Sequence, residues 1–95
     1  MQLEIKPITE SDRSWIQDML QEHWGSSQVV SRGRLHQADT LPGFLAVQWG
    51  RQVGLITYHL EDNDCEIVSL NSLVEKQGVG RGLIEAVRQI AVEAD

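Results

Sequence analysis

QGVGRG, residues 77–82, places three glycines in six positions at the mouth of a helix. Glycine in a helix costs roughly 1 kcal/mol relative to alanine, so the segment calls for a compensating role. Downstream, Val79, Leu83, Ile84, Val87, Ile90 and Ala91 recur at helical spacing, which predicts an amphipathic helix running almost to Asp95. Upstream, CEIVSLNSL at 65–73 predicts a strand. Between strand and helix such a segment suits an anion. The helix N-terminus offers unpaired N–H groups and partial positive charge, and glycine lets the backbone approach closely.

Further upstream, GFLAVQW at 43–49 and QVGLITYHL at 52–60 predict two strands joined by a tight turn at Gly50-Arg51. EDND at 61–64 forms a second turn, so the strand at 65–73 completes a three-strand meander. At the start, QLEIKPI alternates apolar Leu3 and Ile5 with polar neighbours, and Pro7 marks a sheet edge or strand end. Thr9, with Asp12 three positions on, predicts the N-cap of a helix. Its stripe is Trp15, Ile16, Met19, Leu20, His23 and Trp24, it ends at Gly25, and both tryptophans are expected in the core. Residues 25–42 have weak periodicity and predict a loop with one short helical turn around 27–31. Trp49 and Tyr58 are read as packing residues.

The chain has 95 residues and reads as a single domain, 1–95. Eight Lys and Arg against 14 Asp and Glu give a net charge of −6, which argues against a nucleic-acid partner and leans mildly towards cationic substrates. Cys65 is the only cysteine, and His23, His36 and His59 lack ligand spacing, so neither a disulfide nor a metal is expected. The start lacks the pattern of a signal peptide, and the longest apolar run, FLAV at 44–47, is far below the roughly 18 residues of a membrane span. No membrane partner and a cytoplasmic location are the resulting expectations.

Three phosphate loops can be tested against 77–82. A P-loop fails because no Lys-Ser or Lys-Thr pair follows the glycines. A dinucleotide fingerprint fails because its third glycine position is Leu83. The pattern Gln/Arg, two residues, Gly, one residue, Gly/Ala is met by Gln77, Gly80 and Gly82. Together with the strand–helix–loop–meander–helix order, this resembles motif A of the GNAT superfamily of N-acetyltransferases over the whole chain.

The resemblance implies an α/β (α+β) fold of GNAT type and acetyl-CoA as co-substrate, with direct transfer of acetyl to an amine. It implies that the main chain of Gln77, Gly78, Val79, Gly80, Arg81 and Gly82 wraps the pyrophosphate. Arg81 either adds a charge-assisted contact or is a solvated helix-start arginine. The strand before the motif corresponds to one that a bulge splays open in the family, with backbone around Leu70, Ser72 and Leu73 pairing pantetheine amides. Asn71 and Ser72 are then read either as the bulge or as a polar pair at the strand's solvent end.

Glu66 matches the place of a catalytic glutamate that takes the proton from the acceptor amine, although its spacing to the motif is two residues shorter than in histone-type members. The other reading of Glu66 is a surface residue on the exposed face of the strand. Arg32 and Arg34 lie where the acceptor pocket is usually lined. They either bind a substrate carboxylate or are solvated.

A complete member continues with a further strand, helix and hairpin, so the chain is expected to be the N-terminal, truncated part of such a fold. If it ends at Asp95, the open sheet edge predicts a homodimer or strand-exchanged oligomer. The alternative function is a non-catalytic module that keeps the fold and coenzyme A binding but lacks turnover.

Overall fold

The computed structural model describes residues 3–31, 33–62, 64–74 and 78–94. Four antiparallel strands form the main sheet: β1 (Leu3–Pro7), β4 (Gly43–Gln48), β5 (Arg51–Glu61) and β6 (Asp64–Ser72), side by side in that order. Helix α1 (Arg13–Trp24) and a small hairpin, β2 (Gln28–Ser31) with β3 (Arg34–Gln37), are inserted between β1 and β4. Helix α2 (Val79–Ala94) follows β6. The expected elements are present, with one correction. Residues 25–42 are not a loop with a helical turn at 27–31: 28–31 is a strand, and the helical turn is a 3₁₀ turn at Ala38–Thr40.

Strand alternation splits the core into two halves. Leu45 and Leu55 face α1 and pack with Ile16, Met19, Leu20, Val29, Ala38 and Val68. Ala46, Ile56 and Tyr58 face α2 and pack with Val79, Leu83 and Val87. The sheet is therefore covered by α1 and the hairpin on one side and by α2 on the other. Two bulges adjust this pattern. Ala46 pairs with Gly54 and Val47 with Gln52, leaving Val53 as an extra residue turned to the α2 side. Thr57 pairs with Ser69 and Tyr58 with Ile67, so Val68 is the extra residue of β6. The bulge expected around Asn71 and Ser72 thus falls at Val68.

Local chemistry explains the connections. The chain enters α1 through a 3₁₀ turn, Glu10–Asp12, where the Asp12 carboxylate accepts hydrogen bonds from the Thr9 N–H at 2.8 Å and the Thr9 hydroxyl at 3.0 Å. These bonds, the backbone one foremost, hold the Asp12 carboxyl below its ordinary value against the opposing effect of burial. A lowered carboxylate contributes stability that is complete above its unfolded value and is lost as pH falls through the folded one. Asp12→Asn should therefore cost about 1 kcal/mol at neutral pH. That difference should shrink below about pH 4, which thermal melts at pH 7 and pH 3 will check.

Helix α1 stops at Gly25, whose left-handed φ of 76° lets its N–H reach the Gln21 carbonyl. The β4–β5 turn falls at Trp49-Gly50, one residue earlier than expected, and both residues have positive φ, 53° and 74°. A two-residue turn of this kind matches the twist of its strands. Trp24 is not a core residue. It is 43% exposed, and its indole N–H donates to the Asn71 side chain.

Candidate functional site

Two features of β6 define the site, one at each end of the strand. At the first, Glu66 pairs across the sheet with His59. Without the bulge at Val68, Glu66 and Ser69 would point to opposite faces, because side chains alternate with a period of two. The extra residue places Glu66 on the α1 side together with His59, Thr57 and Ser69. There the β2–β3 hairpin covers it. His36 on β3 brings its Nε2 to 3.7 Å from Glu66 Oε2, and the two side chains are only 7% and 6% exposed.

That distance is beyond hydrogen-bond reach, and both atoms are buried without a partner. Glu66 is therefore not the exposed surface residue that its place on the strand suggests: the β2–β3 hairpin, in a region expected to be a loop, buries it.

The surroundings of Glu66 are polar and graded in depth. The Thr57 and Ser69 hydroxyls, both buried, hydrogen-bond to each other two pairs further along the strands, the next pair on this face. Outwards, the His36 and His59 rings lie 5.2 Å apart. His59 Nε2 is 3.9 Å from Glu61 Oε1, and Glu61 accepts a hydrogen bond from Arg34 Nη2 at 3.0 Å. Arg34 is thus exposed and engaged by Glu61, while Arg32 lies outside the described residues. Among the described residues no group of three or more His, Cys, Asp and Glu is arranged to hold a metal.

At the other end, β6 has a neighbour on one side only among the described residues. The Leu73 N–H donates to the Val53 carbonyl at 2.8 Å, so it faces β5. By alternation the main-chain groups of Leu70 and Ser72 face the open edge. The Ser72 hydroxyl donates to the Val74 carbonyl at 2.6 Å. A cleft of about 300 Å³ lies at this end, lined in part by Trp49, Arg51, Val53, Leu73 and Val74.

Gln77 lies outside the described residues. Gly78 is left-handed, with φ of 74°, and its carbonyl accepts from the Gly82 N–H at 3.0 Å. The N–H groups of Val79, Gly80 and Arg81 therefore lie ahead of this first helical bond. Val79 buries its side chain in the core and Arg81 is exposed.

The three glycines of this segment differ in what they serve. A Cβ at Gly82 would meet the Ile5 side chain at 3.2 Å, so Gly82 lets α2 sit close on β1. Gly78 serves the turn, since left-handed backbone favours glycine. Among the described residues a Cβ at Gly80 would meet nothing within 4 Å. Packing therefore gives no reason for glycine there.

Glu66 is legible from the sequence as a candidate base, whereas His36 and His59 carry no spacing signal that marks them. The signal for the hairpin was present in QVVSRGRLHQ, two short runs separated by Arg32-Gly33, with Gly33 at φ of 74°.

The fold is that of a known acetyltransferase structure. The chain superposes with a TM-score of 0.64 on an aminoglycoside acetyltransferase from an uncultured soil metagenomic sample, solved in complex with trehalose. The match covers 97% of this chain and 71% of that one, at 19% sequence identity.

By sequence the chain is 35% identical over 91 residues to the uncharacterized protein YdhI of Bacillus subtilis (strain 168), and 35% identical over 92 residues to the uncharacterized protein YxbD of the same strain. These matches cover 95% and 96% of the chain but only 57% and 58% of those proteins, so it spans less than two thirds of their length. No protein-family model matches the chain. Among the described residues no helix is long and apolar enough to cross a membrane.

Proposed function

We propose that the chain is the cofactor-binding portion of an N-acetyltransferase that moves acetyl from acetyl-CoA to an amine. The observation that carries this reading is Gly80. Its absent side chain leaves open space at the start of a 16-residue helix, beside N–H groups that precede the helical ladder. A pyrophosphate fits the charge of that terminus and the room a Cβ would fill. In this reading Gln77 to Gly82 hold the phosphates through main chain, Arg81 adds a charge from the surface, and Leu70 and Ser72 offer main-chain partners to the pantetheine arm.

Acetyl-CoA supplies the thioester. Glu66 takes the proton from the acceptor's ammonium, leaving a neutral amine able to attack. The likeness in fold to an aminoglycoside acetyltransferase supports an amine acceptor, and the net charge of −6 favours a cationic one.

The test is Gly80→Ala. Replacing this glycine should leave the melting temperature unchanged or raise it, since alanine gains up to about 1 kcal/mol in a helix. Saturating acetyl-CoA at a hundred times its Kd should stabilise the wild type by about 2.7 kcal/mol, or roughly 10–20 °C in a domain of this size, and the variant much less. Equal shifts in both proteins would remove the phosphate role. The open edge of β6 favours a second reading, a module that completes its sheet against another copy. Melting that depends on protein concentration and ignores acetyl-CoA would support that reading instead.

A further inference from the structure

Glu66 and His36 present a physical problem that general-base catalysis alone does not explain. Two buried polar atoms, Glu66 Oε2 and His36 Nε2, lie 3.7 Å apart, and neither has a hydrogen bond among the described residues. A buried polar atom left without a hydrogen bond destabilises the fold, so packing alone gives no reason to keep both groups here. Beyond them the titratable groups form a graded series. His36 is buried, His59 is about a quarter exposed with its ring 5.2 Å from that of His36, and Glu61 is half exposed at 3.9 Å from His59.

The series draws on three elements. His36 comes from β3, His59 and Glu61 from β5, and Glu66 from β6. Arg34 of β3 holds Glu61 at the outer end, and Asp64 lies opposite Glu61 in the register. On the inner side the Thr57 and Ser69 hydroxyls satisfy each other, so the graded series leads outwards.

We propose that His36 and His59 form a proton file that carries to solvent the proton Glu66 takes from the acceptor amine; this rests on the acetyl-transfer reading above. The steps balance. The ammonium gives its proton to the Glu66 carboxylate and becomes a neutral amine. The carboxylic acid passes that proton to the His36 imidazole and returns to carboxylate. His36 passes it to His59, and His59 releases it to water beside Glu61. Each group ends in its starting state, so the buried base is reset without admitting bulk water to the site. His36 is then a positioning and relay residue acting through Glu66, and His59 is the outlet.

Two measurements on the whole chain test this. In ¹³C-histidine-labelled protein, the pH course of the His36 ring signal should change on Glu66→Gln and change again on His59→Gln. Both variants are close in shape to the native residues and should fold. A His36 course indifferent to Glu66→Gln overturns the file. The second measurement uses acetyl-CoA with spermidine as acceptor. His36→Ala should lose on the order of 10²-fold in kcat, and added imidazole should restore most of it in a concentration-dependent way.

A folded His36→Ala protein that binds acetyl-CoA but is not rescued by imidazole, or is not slowed, overturns the relay while leaving the acetyl-transfer reading intact. Wild-type protein that neither binds acetyl-CoA in calorimetry nor acetylates spermidine overturns both.

Discussion

Gly43→Ala is expected to cost more stability than the same change at any other glycine of the chain. An alanine Cβ at this position would fall 2.0 Å from the Ile56 carbonyl oxygen, 3.0 Å from its carbon and 3.0 Å from Ile8 Cδ1. The first neighbour is backbone, and backbone of the strand with least freedom to move. Ile56 is fully buried on β5 and is paired to Phe44 on one side and Leu70 on the other. The entry of β4 is equally tied. The Gly43 carbonyl accepts from the Ile8 N–H at 3.0 Å, and the Pro42 carbonyl accepts from the Tyr58 N–H at 3.1 Å.

Overpacking a well-filled core typically costs 1–3 kcal/mol, and more where backbone must shift. About 3–4 kcal/mol is expected here, a large part of the roughly 5–15 kcal/mol that holds a domain together. At roughly 4–8 °C per kcal/mol, the thermal midpoint should drop by roughly 12–30 °C, as followed by circular dichroism. Gly80→Ala is the matched control, the same added methyl in open space. A Gly43→Ala protein that melts within a few degrees of wild type would mean that β4 does not enter the sheet this close to β5.

Glu66→Gln separates stability from activity in the opposite way. The substitution keeps shape and volume and removes the capacity to take a proton. In the acetyl-transfer reading proposed above, loss of the base should lower the rate by roughly 10²–10⁴-fold, in kcat and with acetyl-CoA affinity unchanged, because Glu66 lies at the far end of β6 from the glycine segment. Stability should hold or rise, since Glu66 Oε2 accepts no hydrogen bond among the described residues that the amide would lose. A variant with turnover within threefold of wild type would end the assignment of Glu66 as base. One that loses kcat and stability together would point to a structural role for the His36–Glu66 pair.

Most of the architecture was legible because it is locally encoded. The apolar stripe of Ile16, Met19 and Leu20, the alternation of β1, β4 and β5, and the spacing of Val79, Leu83 and Val87 each satisfy one periodicity over enough residues to exclude the other. What escaped was short or non-local. Four-residue strands such as β2 and β3 show at most two alternations, too few to stand out from a polar loop. The exposed apolar pair Val30 and Leu35, opposite one another in the hairpin, further blurs the pattern.

The site divides along the same line. The sequence by itself determined the glycine-opened helix after a strand and the presence of a glutamate on that strand. Those are matters of order and spacing along the chain. Only the tertiary structure decided what each glycine is for, because Gly82 meets Ile5 while Gly80 meets nothing among the described residues, and both surroundings are set by how α2 lies on the sheet. Only the tertiary structure decided that Glu66 is buried. The bulge at Val68 turns it to one face, and His36, thirty residues away in the chain, closes over it. Register and long-range cover depend on which surfaces meet, and no pattern within a single strand carries that information.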